Sequence, residues 1–175
     1  MRADKFAERY LFAPLGILDY SWEIFSDGTV NTGGGLWLRP RDMAKIGYLV
    51  LHGGRWQGKQ IVSEEWVKES TKQQAPTHDD WYAWWVPFFA RWIFKDTPLE
   101  HNEYGYQWWL GSFTVRGQVV ESFRAEGRGG QAVFVFPDLH VVAVFTGWND
   151  NKWGNSQPLD MLQRYILPAV VSRGK

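Results

Sequence analysis

The sequence predicts an α+β fold: an antiparallel sheet of about three to four strands with a C-terminal helix packed on it, joined to part of a helical subdomain. Three observations lead there. After Asn102 come short strand-like runs bounded by turn residues: YGYQWWLG, SFTVRGQVVESF, QAVFVF and HVVAVFTG. Leu159, Leu162, Tyr165, Ile166 and Val170 then fall on one side of a helix. Ahead of both, segments of helical spacing are separated by glycine-rich loops. At 175 residues, 45% apolar and 17% aromatic, the chain has ample material for a core. The expected division is 1–103, a helical part with an aromatic insertion over about 73–103, and 104–175, the sheet with its helix.

Taken in order, Asp4 to Phe12 reads as a short helix in which Phe6, Ala7, Tyr10 and Leu11 recur, ended by Pro14 and Gly16. SDGTVNTGGG is a loop, since Asp27-Gly28 and three successive glycines supply backbone freedom. Pro40 to His52 is a packed helix with proline at its first position, Asp42 in its first turn and Gly53-Gly54 at its end. Ser63 resembles an N-cap for a second helix reaching about Thr71, and GGRWQGKQIV is the loop between the two. Further on, PDL makes a tight connection between the last two strands, and Ser156 with Pro158 opens the final helix.

Composition removes several functions. Lysine plus arginine equals aspartate plus glutamate, 19 against 19, so no overall field draws the chain to nucleic acid. With no cysteine there is no disulfide, thiolate metal site or cysteine nucleophile. No apolar run reaches membrane-spanning length, and MRADKFAERYLF lacks the pattern of a signal peptide, which leaves the compartment open. His52, His78, His101 and His140 are widely spaced and form no metal-ligand cluster; no metal or cofactor is expected.

The nucleophile motifs are absent as well. There is no G-x-S-x-G elbow, no H-E-x-x-H and no phosphate-cradling loop ending in G-K-[ST]. The one S-x-x-K match, Ser172 to Lys175, lies at the chain end, where fraying opposes a preorganised site. The informative segment is AEGRGGQAVFVFPDLHVVAVFTG, in which Gly127, Gly129 and Gly130 precede a strongly β-forming run. Glycines there fit either a bulge or bend, or a strand whose bare backbone presents N–H groups to an oxyanion.

Four stretches, in order, give the chain a family resemblance: FAERYLFAPLGILDYSW, GGGLWLRPRDMAKIGYLVLHGGRWQGKQIVSEEWV, YGYQWWLG, and the glycine-bearing segment above. Together they resemble the C-terminal half of serine β-lactamases and penicillin-binding-protein-like hydrolases, in the class C-like branch with related esterases and amide hydrolases. The resemblance runs from about Ala3 to Leu167. It implies a partial β-lactamase/transpeptidase-like fold. It also implies a parent reaction through an acyl-serine, with serine and lysine in S-x-x-K and a tyrosine in Y-x-N. Neither Y-x-N nor S-x-N occurs here, so no catalytic residue is expected in this chain, and the piece by itself is expected to be inert.

By position, the family's third motif, often K-T-G, falls on Ala125, Glu126 and Gly127, followed by Arg128, Gly129, Gly130 and Gln131. The resemblance makes the Arg128 backbone N–H an oxyanion donor. Ala125 stands where a lysine often sits, which removes a cation for a substrate carboxylate and favours a small ester or amide over a β-lactam. Arg124 or Arg128 is a replacement charge, on one strand face with Glu126 and away from Ala125 and Gly127. Arg39 replaces a helix-capping serine or threonine before Pro40. The expected partners are that substrate, an N-terminal half, or a second copy covering exposed apolar surface. The alternative function is a non-catalytic binding or scaffolding domain derived from such a hydrolase.

One segment fits the resemblance poorly. Trp81, Tyr82, Trp84, Trp85, Phe88, Phe89, Trp92 and Phe94 crowd into fourteen positions, more rings than one packed helix buries. A lid or pocket wall built from Trp81, Tyr82, Trp84, Trp85, Phe88 and Phe89, a satellite core, and an oligomer or membrane-surface contact are the competing readings.

Overall fold

Ala7 and Leu11 are spaced by four, so a helix brings them onto one stripe, and the chain opens as that helix: α1 over Ala3–Ala7 continues as a π-helical turn over Glu8–Phe12. The computed structural model describes residues 1–74, 103–127, 129–147 and 156–171. Two compact units result, Met1–Val67 and Lys68–Lys175. In the first, Phe12, Leu15, Ile17 and Leu49 form the core, with Ala7, Leu11, Tyr20 and Trp22 packed on it. Phe6 and Tyr10 lie outside that stripe: both are exposed, and their rings meet at 4.8 Å with their planes tilted by 44°.

At the start of α1, Arg2 grips Asp4 with two hydrogen bonds, Nε to Oδ1 at 3.0 Å and Nη2 to Oδ2 at 2.6 Å. The Arg2 hydrogen bonds hold the Asp4 carboxyl down at about 2. A depressed folded-state value stabilises above the ordinary aspartate value, about 3.9, and that contribution disappears as pH falls through about 2. In an NMR titration Asp4 should therefore have the lower midpoint, and Arg2→Ala should return it to the ordinary range. A wild-type midpoint near the ordinary value would refute the pairing.

The two loops read from the sequence are hairpins. Tyr20–Trp22 (β1) pairs antiparallel with Leu36–Leu38 (β2) around SDGTVNTGGG. Trp22 Nε1 ties that loop down by donating to the Asn31 carbonyl at 2.8 Å. Arg55–Trp56 (β3) pairs with Lys59–Gln60 (β4) across Gln57 and Gly58, both at positive φ, as a tight two-residue turn requires. Strands of two or three residues are too short to show alternation, which is why the sequence hides them.

Between the hairpins, α2 occupies Pro40–Leu51. Arg39 makes no side-chain cap there and instead forms an ion pair with Asp19, so the helix forms without the missing hydroxyl. His52 closes α2, and Gly53 and Gly54 turn left-handed at φ 59° and 81°. Helix α3 follows over Glu64–Ser70, and Ser63 Oγ accepts a hydrogen bond from the Trp66 amide at 3.1 Å, the expected cap.

The second unit holds a five-stranded antiparallel sheet in sequence order: β5 (Glu103–Tyr104), β6 (Trp109–Val115), β7 (Gln118–Glu126), β8 (Ala132–Phe136) and β9 (Val141–Phe145). The count passes the three to four strands expected from the sequence because SFTVRGQVVESF is not one strand: Arg116 and Gly117, both at positive φ, turn the chain between β6 and β7. Pro137–Leu139 makes a single 3-10 turn between β8 and β9, and His140 completes it at φ 51°. Alternation puts Phe113, Val115, Val120, Ala132, Phe134 and Phe136 on one face, where they meet Leu159, Leu162 and Leu167 of the C-terminal helix.

That helix, α4, runs through Ser156–Met161, a π-helical turn at Leu162–Ile166, and Leu167–Val171. The extra residue in the π turn shifts its phase. Leu167 is therefore buried against the sheet, whereas Tyr165, grouped with the apolar side by simple 3.6-residue counting, is 68% exposed. The fold class read from the sequence, an antiparallel sheet with the C-terminal helix on it, is the one observed.

Candidate functional site

The glycine-bearing segment is the connection between β7 and β8. Ala125 and Glu126 are the last residues of β7, in register with Val133 and Ala132. The Gly127 amide donates to the Gln131 carbonyl at 2.8 Å and closes the connection. Gly129 and Gly130 both adopt positive φ, 95° and 94°, a region where a side chain is strained. Arg128 lies outside the described residues, as do the aromatic positions Trp81, Tyr82, Trp84, Trp85, Phe88 and Phe89.

A residue not singled out in the sequence completes this corner. Gly147, just beyond β9, comes so close that a Cβ built on it would stand 2.6 Å from the Gly129 carbonyl oxygen and 3.1 Å from Gly130. The Gln131 side-chain amide donates to the Gly147 carbonyl. Gln131 thus uses its backbone to hold Gly127 and its side chain to hold Gly147. The close backbone approach here is that of Gly147, at the end of β9, to Gly129 and Gly130. The only sequence signal was Thr146-Gly147 at the end of an apolar run.

The register also decides which strand face is which. Val120, Ser122, Arg124 and Glu126 alternate onto one side of β7, and Arg124 pairs across to Phe134. That is the face covered by α4. Arg124 is 3% exposed, and its Nε donates to Glu126 Oε1 at 2.7 Å. A charge this deeply buried is held by its pairing and would be destabilising without it. Ala125 and Gly127 accordingly occupy the opposite face, together with Phe123, Val133 and Val135.

On that opposite face a cavity of about 280 Å³ lies beside Leu110, Phe123 and Pro137, rimmed by Thr71, Lys72 and Glu103. Phe123 precedes Gly127 by four residues, roughly 13 Å of strand, so the cavity is displaced from the glycine connection. Among the described residues, no group of three or more histidines or carboxylates is placed to hold a metal ion, and no helix is long and apolar enough to cross a membrane.

At the level of sequence, no family model and no curated protein matches this chain. Solved structures do. A protein from Bacillus anthracis provisionally assigned as a 6-aminohexanoate-dimer hydrolase superposes with a TM-score of 0.66 at 16% identity, over 96% of this chain and 38% of its own. The simvastatin synthase LovD from Aspergillus terreus, unliganded, gives 0.60 at 14% identity, over 97% of this chain and 49% of its own. A protein from Bacteroides dorei provisionally assigned as a beta-lactamase gives 0.56 at 18%, over 95% and 49%. This chain therefore spans less than half the length of the structures it resembles. Nearly all of it superposes on three proteins that share one architecture, and the chain carries part of a serine β-lactamase/transpeptidase-like fold.

Proposed function

We propose that residues 1–175 form the oxyanion-binding side of a serine acyl hydrolase whose nucleophile lies on polypeptide outside these residues. The observation that carries this reading is the β7–β8 connection, a backbone corner fixed at Gly127, Gln131 and Gly147 at the end of a strand in a hydrolase-like fold. In the proposed reaction a serine hydroxyl, deprotonated by a lysine and tyrosine pair, attacks the carbonyl carbon of an ester or amide. The carbonyl oxygen becomes an oxyanion held by the serine's own amide and that of Arg128, a donor worth ~3 kcal/mol of barrier. Loss of the alcohol or amine leaves an acyl-serine, which water hydrolyses.

Two features favour esters and amides over β-lactams. Ala125 provides no cation on its strand face, and Arg124 is engaged with Glu126 on the face under α4. Neither is available to pair with a substrate carboxylate. By itself this chain has no S-x-x-K followed by Y-x-N and is inert under this reading.

The test mixes the purified chain with a separately produced N-terminal segment bearing both motifs and follows hydrolysis of an activated ester. Hydrolysis by the mixture alone is expected, and a fluorophosphonate probe should label a serine of the added segment. A complex that binds ester without turnover would overturn the reading in favour of a binding or scaffolding domain. Labelling of any serine within residues 1–175 would overturn it as well.

A further inference from the structure

One residue meets the ends of three strands. Gln131 stands immediately before β8, its backbone carbonyl accepts the Gly127 amide at the end of β7, and its side-chain Nε2 donates to the Gly147 carbonyl beyond β9. A Cβ placed on Gly127 would stand 3.0 Å from Gln131 Oε1, so the same side chain also lies across Gly127. The carboxamide has one orientation here: its donor end must face the Gly147 carbonyl, which can only accept, and its oxygen is left over Gly127. The far end of this contact is anchored as well. Gly147 follows Phe145 by two residues, and Phe145 packs on the core under α4 with its ring 6.0 Å from that of Phe134.

We propose that Gln131 is the positioning residue of the oxyanion corner: its carboxamide ties the β7–β8 connection to the end of β9, and through it to the core under α4. The inference rests on the oxyanion reading given above and adds to it the group that holds the donor in place. Side-chain chemistry singles out glutamine. The Gly147 carbonyl needs an N–H or O–H donor, which methionine of similar shape lacks and an ionised glutamate has lost. Asparagine is one methylene shorter. A fixed connection matters because an oxyanion donor acts only where it is in place before charge develops, and a misplacement of about 1 Å can cost about 100-fold in rate. The corner meets the substrate oxygen most strongly as that oxygen becomes charged, so loosening it lowers kcat and spares KM.

The test uses the chain mixed with the N-terminal segment bearing both motifs. Gln131→Met should lower kcat for the activated ester by about 10- to 100-fold and leave KM within about twofold. Gln118→Met, at an exposed position at the start of β7, should leave both unchanged. A glutamine that merely filled space would be replaced by methionine without loss of kcat. A second measurement needs no variant and stands if Gln131→Met fails to fold. In the wild-type chain the Gln131 side-chain amide protons should exchange more slowly than those of the exposed Gln57 and Gln118. Unchanged kcat in a folded Gln131→Met, a loss confined to KM, or Gln131 protons exchanging as fast as those of Gln118 would each overturn the proposal. A wild-type mixture without hydrolysis would overturn the hydrolase reading and this role with it, even where the Gln131 protons stay protected, so the two failures are distinct.

Discussion

Replacing Phe134 with alanine is expected to lower the stability of the second unit by about 3–5 kcal/mol, the usual cost of emptying a phenylalanine site in a closed core. Phe134 has no exposed surface and lies at the centre of the sheet, with the rings of Phe113, Phe136 and Phe145 at 6.4, 6.2 and 6.0 Å. Those rings belong to three different strands, so no single side chain can move into the space. The expected drop in melting temperature is on the order of 10–20 °C. Equilibrium denaturation in urea measures it directly. A loss below about 1 kcal/mol would mean that α4 does not hold the face closed as described.

Gly147→Ala is the second large effect, and it bears on the site. The new methyl would meet the Gly129 carbonyl oxygen at 2.6 Å, and backbone cannot yield as a flexible side chain can. Overpacking of this kind costs about 1–3 kcal/mol. Relief requires the Gly127–Gln131 connection to move away from β9 and break the Gln131 contact. Amide exchange at Gly129, Gly130 and Gln131 should speed up more than exchange in the centre of β7. In the reconstituted hydrolase the same shift should reduce kcat by up to about 100-fold, the scale of losing one oxyanion donor. Gly33→Ala is the control, since its methyl meets only Asn31 Oδ1 at 3.7 Å. Equal stability and unchanged exchange in Gly147→Ala would show that the corner is not held by that approach.

How much of this was legible beforehand depended on whether a signal was local. Helix α2 announced itself through Pro40, Asp42 and the Gly53-Gly54 stop, and α3 through Ser63, because capping and termination are settled within one turn of chain. Strands β8 and β9 were legible because each is a continuous apolar run rich in β-branched residues and the connection between them is short, whereas the turn at Arg116 and Gly117 that begins β7 was hidden inside SFTVRGQVVESF. The hairpins β1–β2 and β3–β4 were not legible either, since their strands are set by a pairing partner rather than by a pattern of their own. The helix phase at Tyr165 and Leu167 was misjudged because a π turn adds a residue that counting by 3.6 omits. The S-x-x-K and Y-x-N gap was visible as plain text, whereas Gly147 was invisible as a member of the site, being sixteen residues from Gln131.

The amino-acid sequence by itself determined the class of fold, the strand-rich C-terminal part, and the concentration of glycines beside Glu126, because propensity, periodicity and backbone freedom are properties of neighbours along the chain. Tertiary structure alone decided that the face shared by Arg124 and Glu126 is the one under α4, and that Gly147 packs on Gly129. Those outcomes depend on strand register and on which layer covers which face. Both are fixed by burying apolar surface between segments far apart in sequence, so no local pattern contains them.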